Sequence, residues 1–197
     1  MARTDSCVHH IKGDIFDRQY RRSSVCICQQ CNCVTMIPHG LSYDIVREFG
    51  SYANSYGRRK PLTRNIATIK TRGTPGTVDF CEGKPCIANL FGQFMFGKST
   101  GSQMIPKQYE DDHMKQEKIK DTKANRLLYF EACLEELLKF LDTTYTEINM
   151  VVFPYRIGCG MAGGNWFSYL NLIKKFAKEL QAIRDNNIKV IVVQKEK

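Results

Sequence analysis

The sequence has no long apolar run. Nothing in it approaches the ~18 consecutive apolar residues of a membrane span, and no apolar stretch follows a basic start as in an export signal. No segment repeats and no tract is of low complexity. Acidic residues are scarce: 20 Asp and Glu face 29 Lys and Arg, a net charge of +9. These absences point to a chain with no membrane association. The nine cysteines are an odd number in a chain without an export signal. They read as reduced thiols of a cytoplasmic compartment and argue against a disulfide framework. What is present is ordinary for a folded protein: 43% apolar and 25% charged residues in 197. A chain of this length buries roughly 70% of its unfolded surface. It suits one domain, or one domain with a large insertion.

The charge is uneven. Between Arg47 and Arg72 lie seven basic residues opposed only by Glu48, so this stretch holds +6 of the +9. Such a stretch attracts nucleic acid or another polyanion, or serves as a solvated face. A second charged stretch, about 98–125, mixes signs without an apolar period and reads as a loop insertion.

Apolar periodicity predicts alternating elements. Runs at Cys7–Ile11, Ser24–Cys28, Ile66–Lys70, Thr77–Phe80, Pro85–Phe91, Ile148–Phe153 and Ile188–Val193 read as strands. Helical spacing starts after Gly40, again from Leu127 to Leu141, and again from Trp166 to Ile183. Strands alternating with helices imply a layered α/β fold around a largely parallel sheet.

Four places can carry chemistry. The first is the run from Pro154 to Trp166, with glycines at 158, 160, 163 and 164, between a strand and a helix. Glycines let backbone amides approach a phosphate, and the following helix start adds free N–H groups, with Asn165 as its cap. The run satisfies G-x-G-x-x-G, but too little chain follows it for a Rossmann domain. The second, Gly92 to Ser99, matches G-x-x-x-x-G-K-[ST] and points to a P-loop kinase or nucleotide triphosphatase. Thr100, Gly101, Ser102 and Pro106 after it carry no helical period, and the strand at 150–153 ends in Pro154, without a magnesium-binding Asp. The third is Cys26, Cys28, Cys31 and Cys33: Cys28-x-x-Cys31 is half of a zinc site if Cys81 and Cys86 are the other half, or else these are small buried hydrophobes. The fourth is the loop from Gln30 to Gly40. Asn32 there offers a donor and an acceptor to a sugar hydroxyl, and His39 can act as acid or base.

These motifs together resemble the macro domain family. Lys12-Gly13-Asp14-Ile15-Phe16 is similar to the family's first signature. Cys31-Asn32-Cys33 with His39-Gly40-Leu41-Ser42 resembles its first ligand loop. The run from Ile157 to Trp166 resembles the second loop of the branch that holds ADP-ribose-1″-phosphate phosphatases and terminal ADP-ribose glycohydrolases. The resemblance implies a three-layer α/β/α fold with a central mixed, largely parallel sheet, as a single domain over residues 1–197. It also implies an ADP-ribose cleft. Asp14 would accept from the adenine amino group beside the Ile15 amide. Ile157, Gly158, Cys159, Gly160, Met161, Ala162 and Gly163 would hold the pyrophosphate. Asn32, Thr35, Gly40, Leu41 and Ser42 would surround the distal ribose.

The chain departs from the family in two ways. Its first loop lacks the usual second Asn and glycine run, and Ala162 stands where glycohydrolases carry an Asp. A covalent lysine mechanism is thereby unsupported. The expectation is a monomeric hydrolase of an ADP-ribose derivative, with His39 and Asn32 catalytic and no metal or cofactor. A non-catalytic ADP-ribose reader and the P-loop enzyme are the alternatives.

Overall fold

Six of the seven apolar runs of the sequence become the strands of one sheet. The computed structural model describes residues 7–99 and 120–196. Its strands are β1 (His9–Lys12), β2 (Val25–Asn32), β3 (Pro61–Thr63), β4 (Ile66–Ala67), β5 (Val78–Cys81), β6 (Cys86–Gln93), β7 (Met150–Pro154) and β8 (Lys189–Gln194). Among the described residues the helices are α1 (Leu41–Phe49), α2 (Lys123–Thr143) and α3 (Trp166–Ile183).

Six strands pair in the order β1-β8-β7-β2-β6-β5. Every pair from β1 to β6 is parallel, and β5 closes the edge antiparallel to β6. The sheet is mixed and mostly parallel, as the resemblance implied.

The central strands are covered on both faces, which is why they read as continuous apolar runs. The period of two still assigns the faces. Cys26 and Cys28 of β2, Phe153 of β7 and Val192 of β8 pack against α2 and α3. Their neighbours Ile27, Val152 and Ile191 pack on the other side, with Ile45 of α1 and with Ile15 and Tyr20. Helices on both faces make three layers. Phe130, Leu134, Leu137 and Leu141 form the buried stripe of α2, and Tyr169, Ile173, Phe176 and Leu180 that of α3. Each helix starts on a side-chain cap: Thr122 Oγ1 accepts from the Asn125 amide at 3.1 Å, and Asn165 Oδ1 from the Ser168 amide at 3.1 Å. None of the helices is long and apolar enough to cross a membrane, among the described residues.

Two sequence expectations change. The strand Ile66–Lys70 shrinks to Ile66–Ala67, because the Thr68 carbonyl accepts from the Thr71 and Arg72 amides and turns the chain. Its partner β3 is exposed throughout and carried no apolar signal. The charged insertion ends earlier than 125, since the Thr122 cap starts α2 at Lys123. Residues 100–119 of that insertion lie outside the described residues.

The parallel pairing brings the carboxyl ends of β1, β2, β6, β7 and β8 to one edge. After β2 the chain enters α1 on one face, and after β7 it enters α3 on the other. β2 and β7 are neighbours, so the loops diverge there and leave a crevice, the usual ligand position of open α/β sheets.

Leu137 is fully buried between α2 and the sheet. Leu137→Ala is expected to cost about 2–5 kcal/mol in denaturant unfolding, with the circular dichroism of the folded state unchanged. A cost under about 1 kcal/mol would show that α2 is not packed as described.

Candidate functional site

The glycine loop after β7 is built to spend its carbonyls and keep its amides. Arg156, Gly158 and Gly163 adopt positive φ of 61°, 71° and 71° and turn the chain back on itself. The turns consume carbonyl oxygens. Arg156 O accepts from Cys159 N at 2.9 Å, Gly158 O from Gly164 N at 3.0 Å, and Gly160 O from Gly163 N at 3.1 Å. Ala162 O accepts from Arg126 Nη1 at 3.1 Å. The amides of Gly158, Gly160, Met161 and Ala162 donate to no protein group among the described residues. A run of unspent N–H groups beside a helix start suits an anion. Gly158 has a second reason to be glycine. A Cβ there would lie 2.3 Å from Tyr169 Cε1 and 2.6 Å from Gln30 Oε1.

Behind this loop lies an ion pair that the sequence reading did not find. Arg126 and Asp121 are 2% and 0% exposed and pair at 2.6 Å, with a second bond from Arg126 Nε at 2.9 Å. Asp121 accepts from the amides of Phe94 and Met95 at 3.1 and 3.0 Å. Arg126 donates to the carbonyls of Met95, Gly97 and Ala162. The pair therefore fastens the segment after β6 to the glycine loop. A signal existed: Arg126 sits one turn before Phe130, at the head of the apolar stripe of α2, where a solvated charge does not belong.

The loop after β2 faces the glycine loop. Asn32 Oδ1 accepts from Val34 N at 3.1 Å, Thr35 N at 2.8 Å and Thr35 Oγ1 at 2.9 Å. Its acceptor is thus committed to the loop itself, and its Nδ2 donors remain. Thr35 and Ser42 are buried, and the Ser42 hydroxyl lies 3.8 Å from the Cys31 thiol. Both hydroxyls serve the interior, so only the backbone of these residues can meet a ligand. Gly40 caps α1 with φ of 55°, and a Cβ on it would lie 2.8 Å from Met161 Cε. Gly40 and Met161 bring the two loops into contact. His39 is exposed just before Gly40, and Leu41 is half-buried just after it.

At the end of β1, Gly13 N donates to Gln194 O at 3.0 Å. The Asp14 carboxylate accepts from Phe16 N at 3.1 Å and pairs with Lys195 at 2.8 Å. Burial pushes the Asp14 pKa up, but Lys195 and the Phe16 amide outweigh it and hold it below its ordinary 3.8. The pair is therefore intact above the ordinary value and is lost as pH falls through the lowered one. Ile15 is buried, and its amide has no protein acceptor among the described residues. Lys195 was invisible in sequence, because only the pairing of β1 with β8 places it beside Asp14.

The other two motifs do not gather a site. The Phe94 and Met95 amides, which a P-loop would turn to phosphate, are spent on Asp121. Lys98 packs against Gly163, and the Ser99 hydroxyl donates to the Asp121 carbonyl at 2.8 Å. Cys26 and Cys28 lie in the core under α2 and α3, whereas Cys31 and Cys33 pack with Phe91 and Phe94. Burial raises the pKa of Cys28, Cys31 and Cys33, which keeps them as neutral thiols. No group of three metal-ligating side chains converges among the described residues.

No family model matches the sequence, and no curated protein matches it. A solved structure does. A mutant macrodomain of Oceanobacillus iheyensis aligns over 95% of this chain and 83% of its own, with a TM-score of 0.52 and 12% identity. This chain has the macrodomain fold. An alphavirus "P23pro-zbd" chain aligns over 95% of this chain but 21% of its own, at 12% identity and a TM-score of 0.46, too distant to carry an argument. In the macrodomain fold described here, the glycine loop, the loop after β2 and Asp14 share one edge of the sheet.

Two glycines of that loop differ in both conformation and space. Gly158→Ala is expected to cost about 1–3 kcal/mol by chemical denaturation, from its positive φ and the Tyr169 contact. Gly160→Ala, with open space around its Cβ, is expected to change stability by under about 0.5 kcal/mol. Equal costs at the two positions would contradict this loop geometry.

Proposed function

We propose that the cleft between the two loops binds ADP-ribose, and that the chain hydrolyses an ADP-ribose derivative. The substrate class is ADP-ribose-1″-phosphate or ADP-ribosylated protein. The reading takes the whole chain as one macro-type domain acting as a monomer. The observation that carries it is the row of unspent amides at Gly158, Gly160, Met161 and Ala162, next to Gly40 at the start of α1. A pyrophosphate spreads its charge over several acceptor oxygens, and such a row meets them without burying a counter-charge.

The ends of the ligand follow from the groups beside the row. Adenine presents an amino donor next to a ring acceptor, which suits the Asp14 carboxylate and the Ile15 amide. The carboxylate has lone pairs left after Phe16 and Lys195 take theirs. Lys195 is an exposed lysine, and its displacement by a ligand costs little. At the other end, Asn32 Nδ2 donates to a ribose oxygen or to the attacking water. His39 takes the water's proton or returns one to the leaving oxygen. The glycine-loop amides stabilise charge that develops on the phosphate.

A reader that binds without turnover is the second reading, and one observation favours it. Asn32 Oδ1 is occupied by three donors, so it cannot draw a proton from water, and Ala162 supplies no acid.

Calorimetry with ADP-ribose, paired with turnover of both substrates, tests the proposal. ADP-ribose is expected to bind, and Asp14→Asn to weaken it about tenfold, as a lost charge-assisted hydrogen bond does. His39→Ala is expected to slow turnover by about 10²–10⁴. Binding with no product establishes the reader. Binding of ATP in place of ADP-ribose would overturn both readings.

A further inference from the structure

A second pocket, of about 350 Å³, lies on the β5–β6 side of the molecule and shares no lining residue with the cleft proposed above. Ser55, Arg58 and Arg59 line it from one side, and Thr71 to Thr74 from another. Asp79 of β5 and Phe91 of β6 line it from the sheet. Three guanidinium groups and one carboxylate therefore surround one cavity. Arg58 pairs with Asp79 at the rim, where the arginine is 65% exposed. Arg72 lies over the Phe94 ring at 5.0 Å.

Arg59 is the unusual member. It is 6% exposed, yet among the described residues no carboxylate lies within ion-pair distance of it. Its partners are neutral: the carbonyls of Thr35 and Asn32 at 2.5 and 2.8 Å, and the faces of Tyr56 and Phe91 at 4.1 and 5.6 Å. A buried cation normally has an anion beside it, because carbonyls and rings return only part of its lost hydration. Two of the five guanidinium N–H donors are spent on carbonyls, which leaves three.

Ser55 supplies an independent observation. It is 5% exposed, and its hydroxyl, although close enough to influence the Cys31 thiol, makes no hydrogen bond of normal geometry. Buried hydroxyls are rarely left unpaired. A buried cation without a counter-ion and a buried hydroxyl without a partner thus border the same cavity.

We propose that this pocket is a second anion site that takes a phosphate monoester of the sugar-phosphate class. The Arg59 fork and the Ser55 hydroxyl meet the phosphate oxygens, with Arg72 and the Arg58–Asp79 pair at the opening. Guanidinium forks match phosphate oxygens in spacing and number. The volume falls in the range of small-molecule pockets, so it admits a carrier as well as the phosphate. The Thr74 hydroxyl and the Phe91 ring offer that carrier a polar contact and an apolar face, the Thr71 hydroxyl being spent on Lys60 and Thr68. Because Arg59 also holds the Asn32 and Thr35 carbonyls, the pocket backs directly onto the loop after β2.

The test uses the full chain, with inorganic phosphate and ribose 5-phosphate as probes, titrated at low ionic strength and followed by calorimetry. It involves no ADP-ribose, and the pocket variants, which leave the cleft residues untouched, separate binding here from binding of the same probes at the cleft. Ribose 5-phosphate is expected to bind more tightly than phosphate. Arg72→Gln is expected to weaken both by about tenfold or more, and Ser55→Ala by several-fold. Ser55→Ala removes a hydroxyl that makes no hydrogen bond of normal geometry, so its melting temperature is expected to stay close to the wild type's, and it keeps the test valid if Arg72→Gln fails to fold. No binding to the wild type, or wild-type affinity in either folded variant, overturns the proposal.

Discussion

The bidentate pair of Asp121 and Arg126 is the constraint on which the cleft depends. Two fully buried charges are not a cheap source of stability, since desolvation offsets most of their attraction. Here both side chains of the pair have further use. Asp121 gathers the Phe94 and Met95 amides, and Arg126 gathers the Met95, Gly97 and Ala162 carbonyls. The return is positional: two loops from different strands, β6 and β7, are held to one rigid point. Removing either partner would leave the other charge buried and uncompensated, at a cost of about 3–5 kcal/mol.

The polarity of the glycine loop follows from that anchoring. A loop has as many carbonyls as amides, and what it offers a ligand is whichever set the protein has not used. Turns inside the loop take the carbonyls of Arg156, Gly158 and Gly160, and Arg126 takes that of Ala162. The remaining amides suit the segment to an anion. Ala162 illustrates the economy. Its side chain brings no acid to the cleft, yet its carbonyl ties the loop to α2.

Much of this was legible in the sequence, and the failures have physical causes. Strands buried on both faces announce themselves by continuous apolar runs, and α2 and α3 by their stripes, so the layered α/β pattern could be read directly. Asn165 was legible as a cap because its geometry is local. Strand order was not, since nothing in β8 names β1 as its neighbour. The ribbon Pro61–Thr63 was missed because an exposed strand leaves no apolar trace. The charge count between Arg47 and Arg72 misled most. Linear counting found one opposing acid, but Asp44 also lies against Arg47, and Asp79 reaches Arg58 from β5. Arg59 is not a surface charge at all. The stretch is a set of separate environments, not a uniform basic face.

The central claim is that the unspent amides of the glycine loop are the ligand's principal contacts. Amide hydrogen exchange of Gly158, Gly160, Met161 and Ala162, measured residue by residue with and without saturating ADP-ribose, tests it most directly. The account predicts fast exchange in the free chain and protection of these four amides on ligand binding. Protection of Arg126 and the α2 core would be the same in both states. Binding of ADP-ribose that leaves the four amides exchanging as in the free chain would contradict it.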